Sequence, residues 1–195
     1  MSLVTCNGCV YYLFRGVRMA MREIVVVPNP VLREKSKKVA KVTPAIQRLL
    51  DDMTETMRAA PGVGLAAPQV GVLQRAIVVE ALKDEENPNM QYGFYQMVNP
   101  EIVKLSKEIE EGSEGCLSIP GYTGDVERAV AVEVKGLDRN GKPIKVKARG
   151  FLARVFQHEV DHLDGILYLD RLKSPDKLHK LPEEEEMQEE ADVVG

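Results

Sequence analysis

The sequence predicts an α+β fold: antiparallel strands packed around a central helix that carries the string His158-Glu159-Val160-Asp161-His162. Three observations predict it. Val130, Val132 and Val134, then Ile144 and Val146, alternate with less apolar neighbours, which is the period of a half-buried strand. Asp138-Arg139-Asn140-Gly141 lies between these runs, a turn signal that joins them as an antiparallel hairpin. Apolar residues recur at helical spacing in two segments, and the strands precede and surround those segments rather than alternating with them, which argues against a βαβ sheet.

Strand-like patterning begins at Arg22-Glu23-Ile24-Val25-Val26-Val27. Thr43-Pro44 reads as an N-cap followed by the first helical residue. Ile46, Leu49, Leu50, Met53 and Met57 then lie on one helical face, which ends near Pro61-Gly62. A loop of small residues runs from Gly62 to Gln69, and Arg75 to Glu80 reads as a buried strand. Lys83 to Asn89 is a polar loop, and the chain looks extended on both sides of Asn99-Pro100. After the hairpin the period changes: Phe151, Val155, His158 and His162 fall on one stripe of a helix, just after Gly150. No internal repeat is present.

A chain of 195 residues fits one domain with a substantial core. No apolar run approaches the roughly 20 residues that span a bilayer, so no membrane association is expected. The formal net charge of −4 is concentrated at one end: residues 183–195 hold seven acids and no Lys or Arg, which leaves residues 1–182 at +3. Such a body gives no sign of direct nucleic-acid binding. The expected organisation is a leader or disordered extension over 1–18, a catalytic domain over 19–175 and an acidic, disordered tail over 176–195. The leader contains three Arg and no acid through residue 22, which leaves organellar targeting open, but its apolar stretch is too short for a secretory signal. Cys6, Cys9 and Cys116 are an odd, small set that fits a reducing compartment. Cys6 and Cys9 have the spacing of half a zinc knuckle, with no second pair to complete it.

Positions i and i+4 share a helix face, so His158 and His162 can bind one divalent ion. Glu159 between them can take a proton from a water activated by that ion and later return it. A third protein ligand is needed. His179, Asp164, Asp170 and Cys116 are the candidates; the position where a longer metalloprotease string would place a third histidine is Tyr168. Gln69, at the end of the small-residue loop, is a neutral amide donor that could hold a developing oxyanion. The loop itself leaves room for a ligand backbone.

Three segments together resemble the peptide deformylase family. Its motifs GxGxAAxQ, EGCLS and QHExDHLxG are matched at every fixed position by Gly62 to Gln69, Glu114 to Ser118 and Gln157 to Gly165. The resemblance covers roughly residues 20–175. It implies Cys116 as the third metal ligand beside His158 and His162, and Glu159, Gln69 and the Leu117 backbone N–H as the catalytic groups. It implies an extended peptide lying beside Gly62, Val63, Gly64 and Gly115, with Val155, Phe151 and Tyr122 shaping an apolar pocket. The activity implied is removal of the N-formyl group from N-formylmethionyl nascent chains, near the ribosome exit in the cytoplasm, with release of formate. The cofactor implied is one divalent transition metal ion, Fe²⁺ natively, with Zn²⁺ or Ni²⁺ as substitutes. A HExxH zinc endopeptidase is the alternative, and it would need a His or carboxylate ligand in place of Cys116. After Pro120 the chain lacks the arginine that many bacterial members carry near Thr123; Gly121-Tyr122 and Val126-Glu127-Arg128 look more like the mitochondrial-type subclass, which some bacteria share.

Overall fold

The computed structural model describes residues 3–6, 9–14, 17–81 and 91–182, with side chains from residue 20 onward. Its strands are β1 (Leu3–Cys6), β2 (Cys9–Phe14), β3 (Val17–Ala20), β4 (Gly64–Ala66), β5 (Ala76–Ala81), β6 (Gly93–Leu105), β7 (Ile109–Cys116), β8 (Ile119–Ala129), β9 (Ala131–Leu137), β10 (Pro143–Arg149) and β11 (Leu178–Lys180). The helices are α1 (Pro44–Ala59) and α2 (Gly150–Leu163). All strand pairs are antiparallel, in three sheets ordered β1-β2-β3, β10-β9-β6-β5-β4 and β11-β8-β7. Among the described residues no helix is long and apolar enough to cross a membrane.

The five-stranded sheet is covered on both faces, and β5 shows why its sequence is apolar throughout. Ala76 and Val78 pack with Leu50, Met53 and Met57 of α1, while Ile77 and Val79 pack with Leu152 and Phe156 of α2. Alternate side chains point to opposite faces, so a strand between two helices needs apolar residues at every position. The five apolar residues that define the α1 face are all buried. The hairpin pairs Val132 with Ala148 and Val134 with Val146, four inward residues that meet α2. β6 runs unbroken through Asn99-Pro100 because the ladder to β9 shifts register there. Asn99 has φ of 53°, and its side chain exchanges two hydrogen bonds with the backbone of Val39, each 2.8 Å. A bulge with a compensated left-handed Asn is where a strand can hold a proline.

One strand expectation is corrected. Arg22 to Val27 forms no strand: Val25 N–H donates to Gln69 O and Val27 N–H to Ser118 O, single bonds to two different segments. The chain threads between these segments, so it extends a ladder with neither. The stretch before residue 19, read as a leader, pairs its described residues into the meander β1-β2-β3. At the other end, β11 lies within the expected tail and pairs with β8 over Leu178–Lys180. β11 can do so because β8 offers an unpaired edge on the side away from β7. The polar loop over 83–89 and the acidic run over 183–195 lie outside the described residues.

Candidate metal centre

α2 delivers three candidate site side chains from its last two turns. His158, Glu159 and His162 are all buried, at 8%, 3% and 1% exposure. The helix is seated by Gln157, whose side-chain amide exchanges two hydrogen bonds with the backbone of Ala129 at the end of β8. It stops at Gly165, where φ is 75° and an added Cβ would lie 2.4 Å from Arg33 O. The residue there has to be glycine on both counts.

Cys116 arrives from β7, at the point where the pairing with β8 shifts register. Its Sγ lies 3.3 Å from His162 Nε2, and that nitrogen lies 3.2 Å from His158 Nε2. All three donor atoms fall within 4.8 Å of one another. A tetrahedral ion with bonds of about 2.0–2.3 Å separates its N and S ligands by about 3.3–3.6 Å, so the set is already close to the right size. The other candidate ligands are engaged elsewhere. Asp164 pairs with Arg75, Asp170 with Arg33, and His179 with Asp125. Tyr168 is buried and stacks on His158 with ring centroids 6.2 Å apart.

Glu114 decides which histidine nitrogen is free. His158 Nδ1 is 2.9 Å from Glu114 Oε2, and a carboxylate can only accept, so Nδ1 carries the proton and Nε2 keeps its lone pair. Arg128 grips both Glu114 oxygens, at 2.9 and 3.0 Å, and reaches Asp161 at 2.6 Å. Burial works against ionisation of Glu114, but the hydrogen bonds from His158 and Arg128 outweigh it and hold the carboxyl at about 2. Burial also works against a charge on His158, whereas the bonds to Cys116 and Glu114 raise it to about 10, so a proton and a metal ion compete for the Nε2 lone pair. Burial drives His162 well below the ordinary imidazole range, which keeps its lone pair available.

Glu159 points into the same space. Its Oε2 is buried without a hydrogen-bond partner among the described residues, and burial pushes its carboxyl up to about 7. Gly64 makes room for it: a Cβ there would lie 2.3 Å from Glu159 Oε1. Gln69 is held by its own loop, Oε1 accepting from Ala66 N–H at 2.8 Å. Its Nε2 thereby faces Ser118 Oγ at 3.2 Å and Cys116 Sγ at 3.5 Å.

A cavity of about 430 Å³ opens over this cluster. Cys116, His158, Glu159, Gln69 and Leu117 reach it, and so do all seven expected substrate contacts: Gly62, Val63, Gly64, Gly115, Tyr122, Phe151 and Val155. His162 lies beneath it. Gly115 is not forced by crowding, since a Cβ there would meet Thr123 at an ordinary 3.7 Å. Glu114 is the residue that sequence reading quoted but gave no task, and Arg128 and Asp161 were likewise passed over. An acid two residues before the candidate ligand Cys116 was the available signal. Leu181, from beyond the expected domain boundary, also lines the cavity.

Comparison with known proteins points one way. A model of the polypeptide deformylase family matches residues 21–178. The chain is 54% identical over 176 residues to a peptide deformylase of Symbiobacterium thermophilum, covering 90% of this chain and 76% of that protein. It is 49% identical over 172 residues to one from Dehalococcoides mccartyi, covering 88% and 98%. The crystal structure of peptide deformylase from Ehrlichia chaffeensis superposes with a TM-score of 0.74 at 41% identity, over 80% of this chain and 90% of that one. A Met-Ala-Ser-bound class I type b peptide deformylase from Acinetobacter baumannii gives 0.74 at 37% identity, over 79% and 99%.

Proposed function

The chain belongs to the polypeptide deformylase family, and on that premise we propose how its residues carry out metal-dependent removal of the N-formyl group from formylmethionyl peptides. The observation that carries the assignment of roles is the convergence of Cys116, His158 and His162 at a cavity that Glu159 and Gln69 also line. The antiparallel strands are read as a shell about α2, which packs against β4, β5, β6, β8, β9 and β10.

Cys116, His158 and His162 would hold the ion. The chemistry it supplies when bound is Lewis-acid polarisation of the formyl carbonyl and acidification of a water. Glu159 takes the proton from the attacking water as its oxygen adds to the formyl carbon. The oxygen that gains negative charge lies against the Gln69 Nε2–H and the Leu117 backbone N–H, donors set before the reaction begins. Glu159 then returns its proton to the peptide nitrogen as the C–N bond breaks, so one water and one formamide become formate and a free amine. Gly62, Val63, Gly64 and Gly115 flank the extended peptide, and the methionine side chain fills the apolar space near Val63, Val155 and His158, with Tyr122 and Phe151 at its mouth.

A Cys-His-His set suits Fe²⁺, Zn²⁺ and Ni²⁺ alike, so donor chemistry does not choose among them. The assignment of Fe²⁺ as the native ion rests on family resemblance. The same resemblance supports action on nascent chains near the ribosome exit and a cytoplasmic location. Family membership argues against the endopeptidase alternative, and the pairing of Asp164, Asp170 and His179 with other residues supports Cys116 as the third ligand. The test is formate release from formyl-Met-Ala-Ser by protein reconstituted with each of the three metals. Cleavage of internal peptide bonds without formate release would reverse the reading.

A further inference from the structure

β7 carries Cys116 at its end and lies at the edge of its sheet, paired with β8 alone. The ladder fixes β7 to β8 and leaves its distance from α2 to side chains. Apart from the Cys116–His162 contact, two side chains of α2 reach β7 by hydrogen bonds among the described residues: His158, through Glu114, and Arg154. Arg154 stands one helical turn before His158, on the same face. Its Nη1 lies 3.1 Å from Gly112 O, 3.1 Å from Glu114 Oε1 and 2.7 Å from Val126 O, and its Nη2 donates to Glu110 O at 2.9 Å. Gly112 and Val126 face each other across the β7–β8 ladder, so one guanidinium holds both strands of the ribbon at a single rung. Gly112 is matched to it: a Cβ there would lie 2.8 Å from Arg154 Nη2 and 3.0 Å from Cζ. Neutralising Glu114 does not require this arginine, because Arg128 already engages both carboxylate oxygens. Three of the four acceptors of Arg154 are backbone carbonyls, so its bonds fix the path of a strand.

We infer that Arg154 is a positioning residue for the metal centre: by fastening the β7–β8 ribbon to α2, it sets where Cys116 Sγ stands relative to the His158 and His162 nitrogens. This rests on the functional reading above, in which those three residues hold the ion. The clamp sits four residues before Cys116 on the same strand. Metal–ligand distances allow only about 0.2 Å of play, so a ribbon released from α2 no longer presents the thiolate where the ion needs it. The planar fork of a guanidinium suits the task, since it meets several acceptors at fixed angles.

The experiment loads full-length wild type, Arg154→Met, Arg154→Lys and Gly112→Ala with Co²⁺, which lies between Fe²⁺ and Ni²⁺ in binding strength. Affinity is read by competition with a chelator, and the Co²⁺–Sγ bond by its thiolate-to-metal absorption band. Arg154→Met keeps the length of the side chain and removes every donor. It should weaken Co²⁺ binding about tenfold, and at full loading the band should weaken as well. Arg154→Lys still reaches one acceptor and should recover part of both. Gly112→Ala leaves the arginine in the chain but pushes it from its seat, so it should act in the same direction, and it carries the test if Arg154→Met does not fold. In the double variant the alanine should add nothing, because a methionine yields to the added Cβ. Unchanged affinity and band in the folded variants would overturn the positioning role and leave the metal centre standing. Weaker binding with an unaltered band would overturn it too, since the effect would not reach Cys116. Wild type that binds Co²⁺ without the band would instead overturn Cys116 as a ligand, and the functional reading with it.

Discussion

Glu159 Oε2 is buried without a partner among the described residues, whereas both Glu114 oxygens are engaged, one of them with His158. That difference assigns their work. Glu159→Gln leaves the ligands intact and removes the proton carrier, so bound metal should persist while kcat falls by about 10²–10⁴. Metal content and turnover measured on one sample check this, and near-normal turnover at full metal occupancy would remove Glu159 from the mechanism. Glu114→Gln acts through the ligand instead. The amide can donate as well as accept, so it no longer dictates the His158 tautomer. Metal affinity, read by competition with a chelator, should weaken about 10–100-fold. An unchanged affinity would mean that Arg128 and Glu114 serve packing alone.

Among the elements, the contact between β4 and α2 brings the small-residue loop to the helix that carries Glu159. At Gly64 it is so close that a methyl group would displace the Glu159 carboxylate. Gly64→Ala should therefore cost at least tenfold in kcat while the melting temperature moves by only a few degrees, because the clash falls on a side chain rather than on backbone. A large loss of stability with normal specific activity would show that the loop, not Glu159, yields. The two helices and the β9–β10 hairpin were legible in the sequence because each buries one periodic face. β7 and β8 were not. Residues 109–116 carry three glutamates and two glycines on a ribbon that is largely solvated, so no apolar alternation marks them. β11 is three exposed residues long, and it exists only because β8 has an edge to offer.

At the scale of the whole molecule, the cavity proposed to admit a peptide also leads from solvent to the half-buried Cys116. With Fe²⁺ bound, both the ion and Cys116 are oxidisable. The Fe²⁺ form should lose formate-releasing activity over time in air, while Ni²⁺ and Zn²⁺ forms hold theirs, the Zn²⁺ form at a lower rate. Parallel time courses in air and under anaerobic conditions separate the forms. An Fe²⁺ enzyme as durable as the Zn²⁺ enzyme would show that the fold shields the site.

The sequence by itself determined the chemistry: two histidines one helical turn apart with a glutamate between them, a thiol, and an amide at the end of a glycine loop. Helical spacing is a local property, so His158, Glu159 and His162 could be placed together from their positions alone. It also determined α1, β5 and the hairpin, where burial leaves a period. Only the tertiary structure selected Cys116 over Asp164, Asp170 and His179 on geometric grounds, because that choice depends on which distant side chains already have partners. Tertiary structure also gave Glu114 its task and carried Leu181 to the cavity. Both depend on β7, α2 and β11 meeting around β8, and contacts between segments so far apart in the chain leave no periodic trace in it.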